Sequence, residues 1–388
     1  MRNRAMIKGR AIACALGEDL DAVVRGAREM RPGIARLPLT LAGMDEVRPY
    51  YLLSRRGPES LSAAPETFFY EVLFDTVERA LADASLRTAD LRDLAIFFGS
   101  TAIDIPVYEH AYGQTLRETS RPASMVSSGY GRIADEVAGR FGIRGPAYTF
   151  TTACTSSANA LLYAAAMIAA GRIPRALVIG YDLFSHLGFY GFESLRLIAT
   201  DGYRPFDRRR SGIIMGEGCG AVVLEADDGG DAGAVLCGGA NRVDAYNVTT
   251  HALEGGAIAQ VMWDALEDAD VEAGAVTAIK AHGTGSENND RMEGNGMVRV
   301  FGDALPPFTV LKPLIGHTVG ASGVVELILF TACLQRGFCP PTLGFEEADE
   351  ALSLRPVTEP RPLSRGIFLL NFFGFGGNCT ALVVAVRG

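Results

Sequence analysis

No two cysteines in the 388-residue chain stand in a C-x-x-C spacing, so the usual signatures of a zinc site and of a dithiol redox centre are both missing. The seven cysteines (Cys14, Cys154, Cys219, Cys237, Cys333, Cys339 and Cys379) are odd in number and scattered. That pattern reads as reduced thiols of a cytoplasmic protein. No G-x-G-x-x-G opens a helix after a strand, and Gly216-Glu217-Gly218-Cys219-Gly220 lies between strand-like segments. A dinucleotide cradle is therefore not expected. A G-x-x-x-x-G-K-[ST] phosphate loop and a G-x-S-x-G nucleophile elbow are also missing. Glycine, proline and charge interrupt every apolar stretch, so no spanning helix of about 20 residues is expected. The basic N-terminus carries only the short apolar run Ala11 to Leu16, too short for a signal-peptide core. Basic charge is in deficit, 36 against 45 acidic residues for a net −9. Bulk nucleic-acid binding, which needs a basic surface, is disfavoured.

What remains is a large apolar chain. Hydrophobic residues make up 48% and charged ones 21%, enough for a sizeable core in two domains or two intimately packed halves. Strand-like and helix-like segments alternate. Helices are expected at 66–84, 128–141 and 155–170, with strands at 94–98, 146–151 and 176–180. Residues 212–225 read as two short strands about the turn at Gly216–Gly218. The Asp/Gly-rich stretch 226–233 reads as a linker. Beyond it follow a strand at 234–239, a helix at 257–269, a strand at 277–281, a helix at 319–336 and strands at 366–371 and 379–386. The expectation is an α/β fold with an N-terminal half at 1–228 and a C-terminal half at 229–388. No repeat is visible in the sequence itself.

Four segments carry candidate chemistry. Thr151-Thr152-Ala153-Cys154-Thr155-Ser156-Ser157 puts Cys154 where a strand gives way to an apolar helix. The helix dipole there favours thiolate and a nucleophilic sulfur, although a buried structural cysteine fits equally. Lys280-Ala281-His282-Gly283-Thr284-Gly285-Ser286 brings His282 out of an apolar strand into a Gly-rich loop, as a site residue or as a packed loop histidine. Lys312-Pro313-Leu314-Ile315-Gly316-His317-Thr318 precedes another apolar helix. The dipole of that helix keeps His317 neutral, with Glu326 in the helix as a partner or a surface carboxylate. Asn371-Phe372-Phe373-Gly374-Phe375-Gly376-Gly377-Asn378 is either a mobile loop that brings a backbone N–H to a ligand or a tight hairpin. His186, among aromatics, reads as a packing or tunnel-wall histidine; His110 and His251 have no identifiable companions.

Taken in order, Thr-Ala-Cys-Thr-Ser-Ser, His-Gly-Thr-Gly, Lys-x-x-x-Gly-His and Gly-Phe-Gly-Gly resemble the β-ketoacyl carrier-protein synthases of the thiolase superfamily. Arg204-Pro205-Phe206-Asp207 with Arg210, and Gly216-Glu217-Gly218, add to the likeness, which is clear over about 120–386. The resemblance implies a thiolase-like five-layer αβαβα fold of two packed similar halves. It implies that Cys154 takes an acyl chain from the 4'-phosphopantetheine arm of an acyl carrier protein, with no cofactor or metal bound. It assigns the oxyanion hole to the backbone N–H groups of Cys154 and Phe375. Decarboxylation of malonyl-carrier protein falls to His282 and His317, with Lys312 beside them and Phe375 as a gate. Thr284, Ser286, Thr249 and Phe373 would bind substrate, Arg208 and Arg209 would dock the acidic carrier, and Arg210 would form a structural ion pair. A homodimer, or a heterodimer with a second ketosynthase-like chain, is implied. His317, where initiating members have Asn, and the lack of a second catalytic cysteine point to the elongating, decarboxylating branch. A non-decarboxylating thiolase or an inert chain-length-factor-type partner stands as the alternative. Ser286, Glu287–Asp290, Asn247 and Phe372 depart from the family pattern, and Phe372 is expected to narrow an acyl tunnel or a dimer contact.

Overall fold

The computed structural model describes residues 4–41, 44–58, 61, 65–117 and 129–388. In chain order the elements are β1 (Ala5–Ala13), α1 (Leu20–Arg28), β2 (Ala35–Leu41), β3 (Met44–Tyr50), α2 (Pro65–Asp83), β4 (Ala95–Gly99), α3 (Ile105–Arg117), α4 (Arg132–Phe141), β5 (Ala147–Phe150), α5 (Ser156–Ala169), β6 (Arg175–Asp182), α6 (His186–Ser194) and β7 (Gly218–Ala226). There follow β8 (Gly233–Val243), α7 (Gly256–Ala269), β9 (Val276–Lys280), α8 (Glu287–Phe301), β10 (Phe308–Thr309), α9 (Lys312–Ile315), α10 (Ser322–Gln335), β11 (Phe338–Cys339), β12 (Arg361–Pro362), β13 (Gly366–Phe373) and β14 (Asn378–Arg387).

Ten strands form one mixed sheet in the order β10-β9-β13-β14-β8-β1-β7-β6-β4-β5. Its two halves follow the same path. In one, β5-β4-β6 run parallel and β7 and β1 turn antiparallel. In the other, β10-β9-β13 run parallel and β14 and β8 turn antiparallel. Only Ala5 with Leu236 and Met6 with Val235 join them, between β1 and β8. The duplication lies in strand direction and order, which residue identities do not record.

Period-two alternation along the strands builds the layers. Ile96 and Phe98 of β4 face outward onto Phe69, Leu73 and Val77 of α2, while Ala95 and Phe97 face inward. In the other half Leu369 and Val383 meet Val261, Met262 and Ala265 of α7, while Phe368, Leu370 and Val384 face inward. Between the inward faces lie α5 and α10, giving five layers, αβαβα. Helix α5 is Ala-rich and free of Gly and Pro, so it propagates well. Helix α10 is buried from Ser322 to Leu334, as expected of a central helix with no polar face. No helix among the described residues is long and apolar enough to cross a membrane.

Several expected boundaries shift. Residues 212–217 lie outside any strand, because Met215 and Gly216 bridge singly to His317 and Tyr51 before β7 begins. Position 128 of the expected 128–141 helix lies outside the described residues. Residues 287–290, which sequence alone left as a loop of uncertain shape, open α8. Position 319 starts a separate 3-10 turn, Val319–Ala321, ahead of α10.

The two central helices meet backbone to backbone. A Cβ built on Gly323 would lie 2.1 Å from the amide nitrogen of Ala158, a position that no local adjustment of a side chain relieves. Gly323→Ala should therefore destabilise the protein by about 3 kcal/mol, the upper end of ordinary overpacking, as measured by denaturant unfolding. A variant as stable as the parent would show that the helices separate freely.

Candidate active site

The equivalent helices α5 and α10 each start at one point in the molecule, and each is preceded by a 3-10 turn, Ala153–Thr155 and Val319–Ala321. Ala153 and Val319 both have positive φ, 53° and 46°, a conformation costly for residues with a Cβ and most of all for a β-branched one. The surroundings hold both turns. The carbonyl of Ala153 accepts from Thr101 Oγ1 at 3.1 Å and Ser156 Oγ at 2.6 Å. Asp182, buried at the end of β6, accepts from Ser100 Oγ and from the N–H groups of Thr101, Ala102 and Gly320. Burial raises its carboxyl to about 6 against those donors. Behind Cys154, Thr155, Asn159, Asn241 and Thr380 converge on Asn378 Oδ1, tying α5 to β8 and β14.

These turns bring Cys154 Sγ to 3.1 Å from His317 Nε2. His317 Nδ1 lies 3.3 Å from Ser322 Oγ. The His282 ring stands edge-on to that of His317, with centroids 5.5 Å apart. Lys312 Nζ is 3.2 Å from His282 Nδ1 and donates to the His282 carbonyl at 2.6 Å. An ammonium only donates, so His282 Nδ1 accepts and its proton sits on Nε2. Ser322 both donates and accepts, which leaves His317 free to adopt either tautomer.

Charge beneath the histidines is paired inside the protein. Glu326 accepts from Lys280 Nζ at 2.7 Å and from Lys312 Nζ at 2.8 Å, all three side chains being fully buried. Burial alone would raise the Glu326 carboxyl, but Lys280 and Lys312 hold it below its usual range. Burial, and then the lysine charges, push both histidines well below the ordinary imidazole value, so both are neutral at pH 7. Cys154 departs from the sequence expectation. Burial raises its thiol to about 12, outweighing Lys312 and the backbone N–H groups of Cys154 and Phe375 that point at it. The resting pair is thiol and neutral imidazole.

A cavity of about 460 Å³ opens onto Cys154, His282 and His317. Thr249, Thr284, Ser286, Phe373 and Phe375 all line it, which brings the sequence candidates together. The Thr284 and Ser286 hydroxyls are 2.9 Å apart. The Gly-rich loop is a tied turn in which Gly376 and Gly377 take positive φ, with Gly376 N–H donating to Val248 and the Gly377 carbonyl accepting from Asp244. Phe375 stacks on Phe192 at 5.4 Å.

Other expectations are kept or corrected. Arg208 and Arg209 stay about half exposed beside Glu347 and Glu346, while Arg210 pairs with Asp349 at 2.8 Å. Phe372 is fully buried in the central core and off the cavity, so it narrows no tunnel; its ring lies 3.5 Å from Lys280 Nζ. Glu326 is not a surface carboxylate. His251 has companions, Asp244 and Cys379, each 3.5 Å from its Nδ1. Sequence reasoning missed Glu293 and Asp290 on α8. Glu293 accepts the N–H groups of His282 and Gly283, and Asp290 those of Thr284 and Gly285. Together they clamp the whole His-Gly-Thr-Gly loop. An acid-rich first turn after Ser286 was the available signal for that helix.

Comparison with known proteins identifies relatives of this chain and of its fold. Residues 67–229 match the family model "Beta-ketoacyl synthase, N-terminal domain" and residues 233–346 match "Beta-ketoacyl synthase, C-terminal domain". Nodulation protein E of Rhizobium sp. (strain N33) is 34% identical over 59% of this chain and 57% of its own length. The chain also spans just under two thirds of the other nodulation proteins E it matches. The 3-oxoacyl-[acyl-carrier-protein] synthase 2 of Coxiella burnetii is 27% identical over 82% of this chain and 81% of its own. A solved structure described as the ishigamide ketosynthase/chain length factor superposes with a TM-score of 0.87 at 26% identity, over all of both chains.

A thiol held near 12 has a reactivity signature. Alkylation of Cys154 by iodoacetamide should keep rising with pH through 9 and beyond, since thiolate grows tenfold per unit below the pKa. A plateau below pH 7, read by peptide mass mapping, would mean that the helix dipole prevails over burial.

Proposed function

The chain belongs to the beta-ketoacyl synthase family, and from that premise we propose that it catalyses a decarboxylating Claisen condensation between an acyl thioester on Cys154 and malonyl-acyl carrier protein. The observation that carries this reading is the 3.1 Å contact of Cys154 Sγ with His317 Nε2, beside a second histidine whose tautomer Lys312 fixes. The N-terminal half, 1–228, supplies the nucleophile and the C-terminal half, 229–388, both histidines. We place the reaction in the cytoplasm, where free thiols stay reduced.

In the first step Sγ bonds to the acyl carbon as its proton passes to His317 Nε2. The oxyanion lies against the backbone N–H groups of Cys154 and Phe375. Collapse expels the pantetheine sulfur of the carrier, which takes the proton from His317. In the second step the bond from the malonyl α-carbon to its carboxylate breaks and carbon dioxide leaves. The electron pair forms an enolate whose oxygen faces His282 Nε2–H and His317. The enolate carbon attacks the acyl carbon, the bond to Sγ breaks, and a proton from water restores the thiol. Thr249, Thr284 and Ser286 offer hydroxyls to the pantetheine arm, Phe373 an apolar wall, and Phe375 a gate. Arg208 and Arg209, both about half exposed, would dock the acidic carrier by exchanging their surface pairs with Glu347 and Glu346.

Intact-protein mass spectrometry with acyl-carrier proteins of several chain lengths should find one acyl adduct, lost in Cys154→Ala. His282→Ala should retain the adduct while carbon dioxide release from labelled malonyl-carrier protein falls by about 10²–10³-fold, the scale of losing one donor to a developing oxyanion. An absence of any adduct sinks the proposal. Condensation of acetyl-coenzyme A without carbon dioxide would favour a thiolase. Light scattering with the activity assay separates an active homodimer from a chain that turns over only beside a second synthase.

A further inference from the structure

Lys280 is left over from this mechanism. It touches neither cavity nor substrate, and it ends the apolar strand β9 fully buried. Its ammonium donates to Glu326 Oε2 at 2.7 Å and to the Asn371 carbonyl at 2.6 Å, and it lies 3.5 Å from the centre of the Phe372 ring. Burying an ammonium is costly, and three groups from two elements, α10 and β13, have been arranged around this one. We propose that Lys280 is a positioning residue that keeps His282 neutral and so couples decarboxylation to carbon–carbon bond formation; this rests on the reaction proposed above.

Besides Lys280, the titratable groups facing His282 are Lys312, His317 and His251, the last beside Asp244. The groups facing Lys280 are Glu326 of α10, Lys312 of α9 and, more distantly, Glu293 of α8, whose carboxyl accepts the His282 and Gly283 N–H groups. Burial raises the Glu293 carboxyl to about 7, so at pH 6 Glu326 is the standing anion and the two ammoniums leave a net positive charge beneath His282. Without Lys280 the set is one cation against one anion, and the loss of that positive charge makes the imidazole easier to protonate. The difference matters chemically. A neutral imidazole N–H donates to an enolate oxygen and is too weak an acid to surrender its proton. An imidazolium would protonate the enolate carbon, ending in carbon dioxide and an acetyl thioester with no new bond. Burial lowers the Lys280 ammonium to about 8, still charged at pH 7. The Lys280 charge acts on both His282 and His317 in the direction that keeps them neutral.

The test compares the parent with Lys280→Met, which keeps length without charge, and Lys280→Gln, which keeps a donor without charge. The readout is the ratio of carbon dioxide released to 3-oxoacyl product formed. The parent ratio should stay near one from pH 6 to 8. Both variants should show a ratio above the parent's at pH 6, with about tenfold more His282 imidazolium, the effect of roughly one unit in an imidazole pKa. It should fall again toward pH 8 as the raised His282 loses its proton. Histidine titrations followed by NMR should move upward for His282 in both variants. A ratio near one with an unmoved His282 overturns the proposal. If the parent releases no carbon dioxide, the reaction assignment fails instead, and the NMR titration still decides the role of Lys280. If neither variant folds, NMR of labelled lysine in the parent decides: an ammonium at pH 7 supports the charge count, and a neutral Lys280 amine overturns it.

Discussion

The crossing of α5 and α10 at Gly323 and Ala158 is the constraint on which the site depends. The turns that lead into the two helices carry or follow Cys154 and His317, so the distance between their first turns sets the distance from Cys154 to His317. Any residue with a Cβ at 323 would meet backbone, and the neighbouring contacts are as tight. A Cβ at Gly99 would lie 2.4 Å from Ser157 Cα, and one at Gly180 would lie 2.9 Å from the Ala321 carbonyl. The helix starts are thus wedged against the strand ends of β4 and β6. That wedging gives Ala153 and Val319 the support to stay at positive φ, where an isolated turn would relax.

Close packing of this kind leaves no solvent for polar groups, and the second feature follows from it. Every charge beneath the histidines is satisfied by another protein group. Glu326 shares its oxygens between two lysines, Glu293 accepts two loop N–H groups and Asn371, and Asp290 accepts two loop N–H groups, Asn289 and the Phe206 N–H. A buried ion pair gains little net stability, while removal of one partner typically costs about 3–5 kcal/mol because it strands the other. The cluster is therefore better understood as a device for fixing geometry and protonation than as a source of stability. Lys312 shows the point: its position on Nδ1 dictates which nitrogen of His282 faces the cavity.

How much of this was legible depends on where each residue sits. Cys154, His282, His317 and Lys312 stood out because each lies where an apolar segment meets a turn, and there a functional side chain reaches a cavity. Glu326 could have been recognised from α10 alone, since a helix apolar all round leaves its one carboxylate no solvent to face. Lys280 was not legible, because a lysine ending a strand ordinarily marks the exit to water. Phe372 misled for a related reason. A bulky residue in a glycine-rich segment suggests a tunnel wall, but β13 points it inward with Phe368 and Leu370, away from the cavity-lining Phe373. The duplicated topology left no trace in residue identity because only strand order and direction repeat.

The protonated thiol ties these points together. At first sight a sulfur raised to about 12 is a poor nucleophile, and the helix dipole was expected to make it a better one. Yet a standing thiolate would place a negative charge against the same Cys154 and Phe375 N–H groups to which the proposed reaction assigns the oxyanion, and those donors would then be occupied before that reaction begins. Keeping the proton on sulfur, with a neutral imidazole 3.1 Å away to take it, leaves the donors available for the charge that develops on oxygen. Burial disfavours charge on the free thiol and the free imidazoles alike, and the paired lysines reinforce it at the imidazoles. The site at rest therefore carries no net charge on its reacting atoms, and its preorganised donors meet charge only when a thioester brings it.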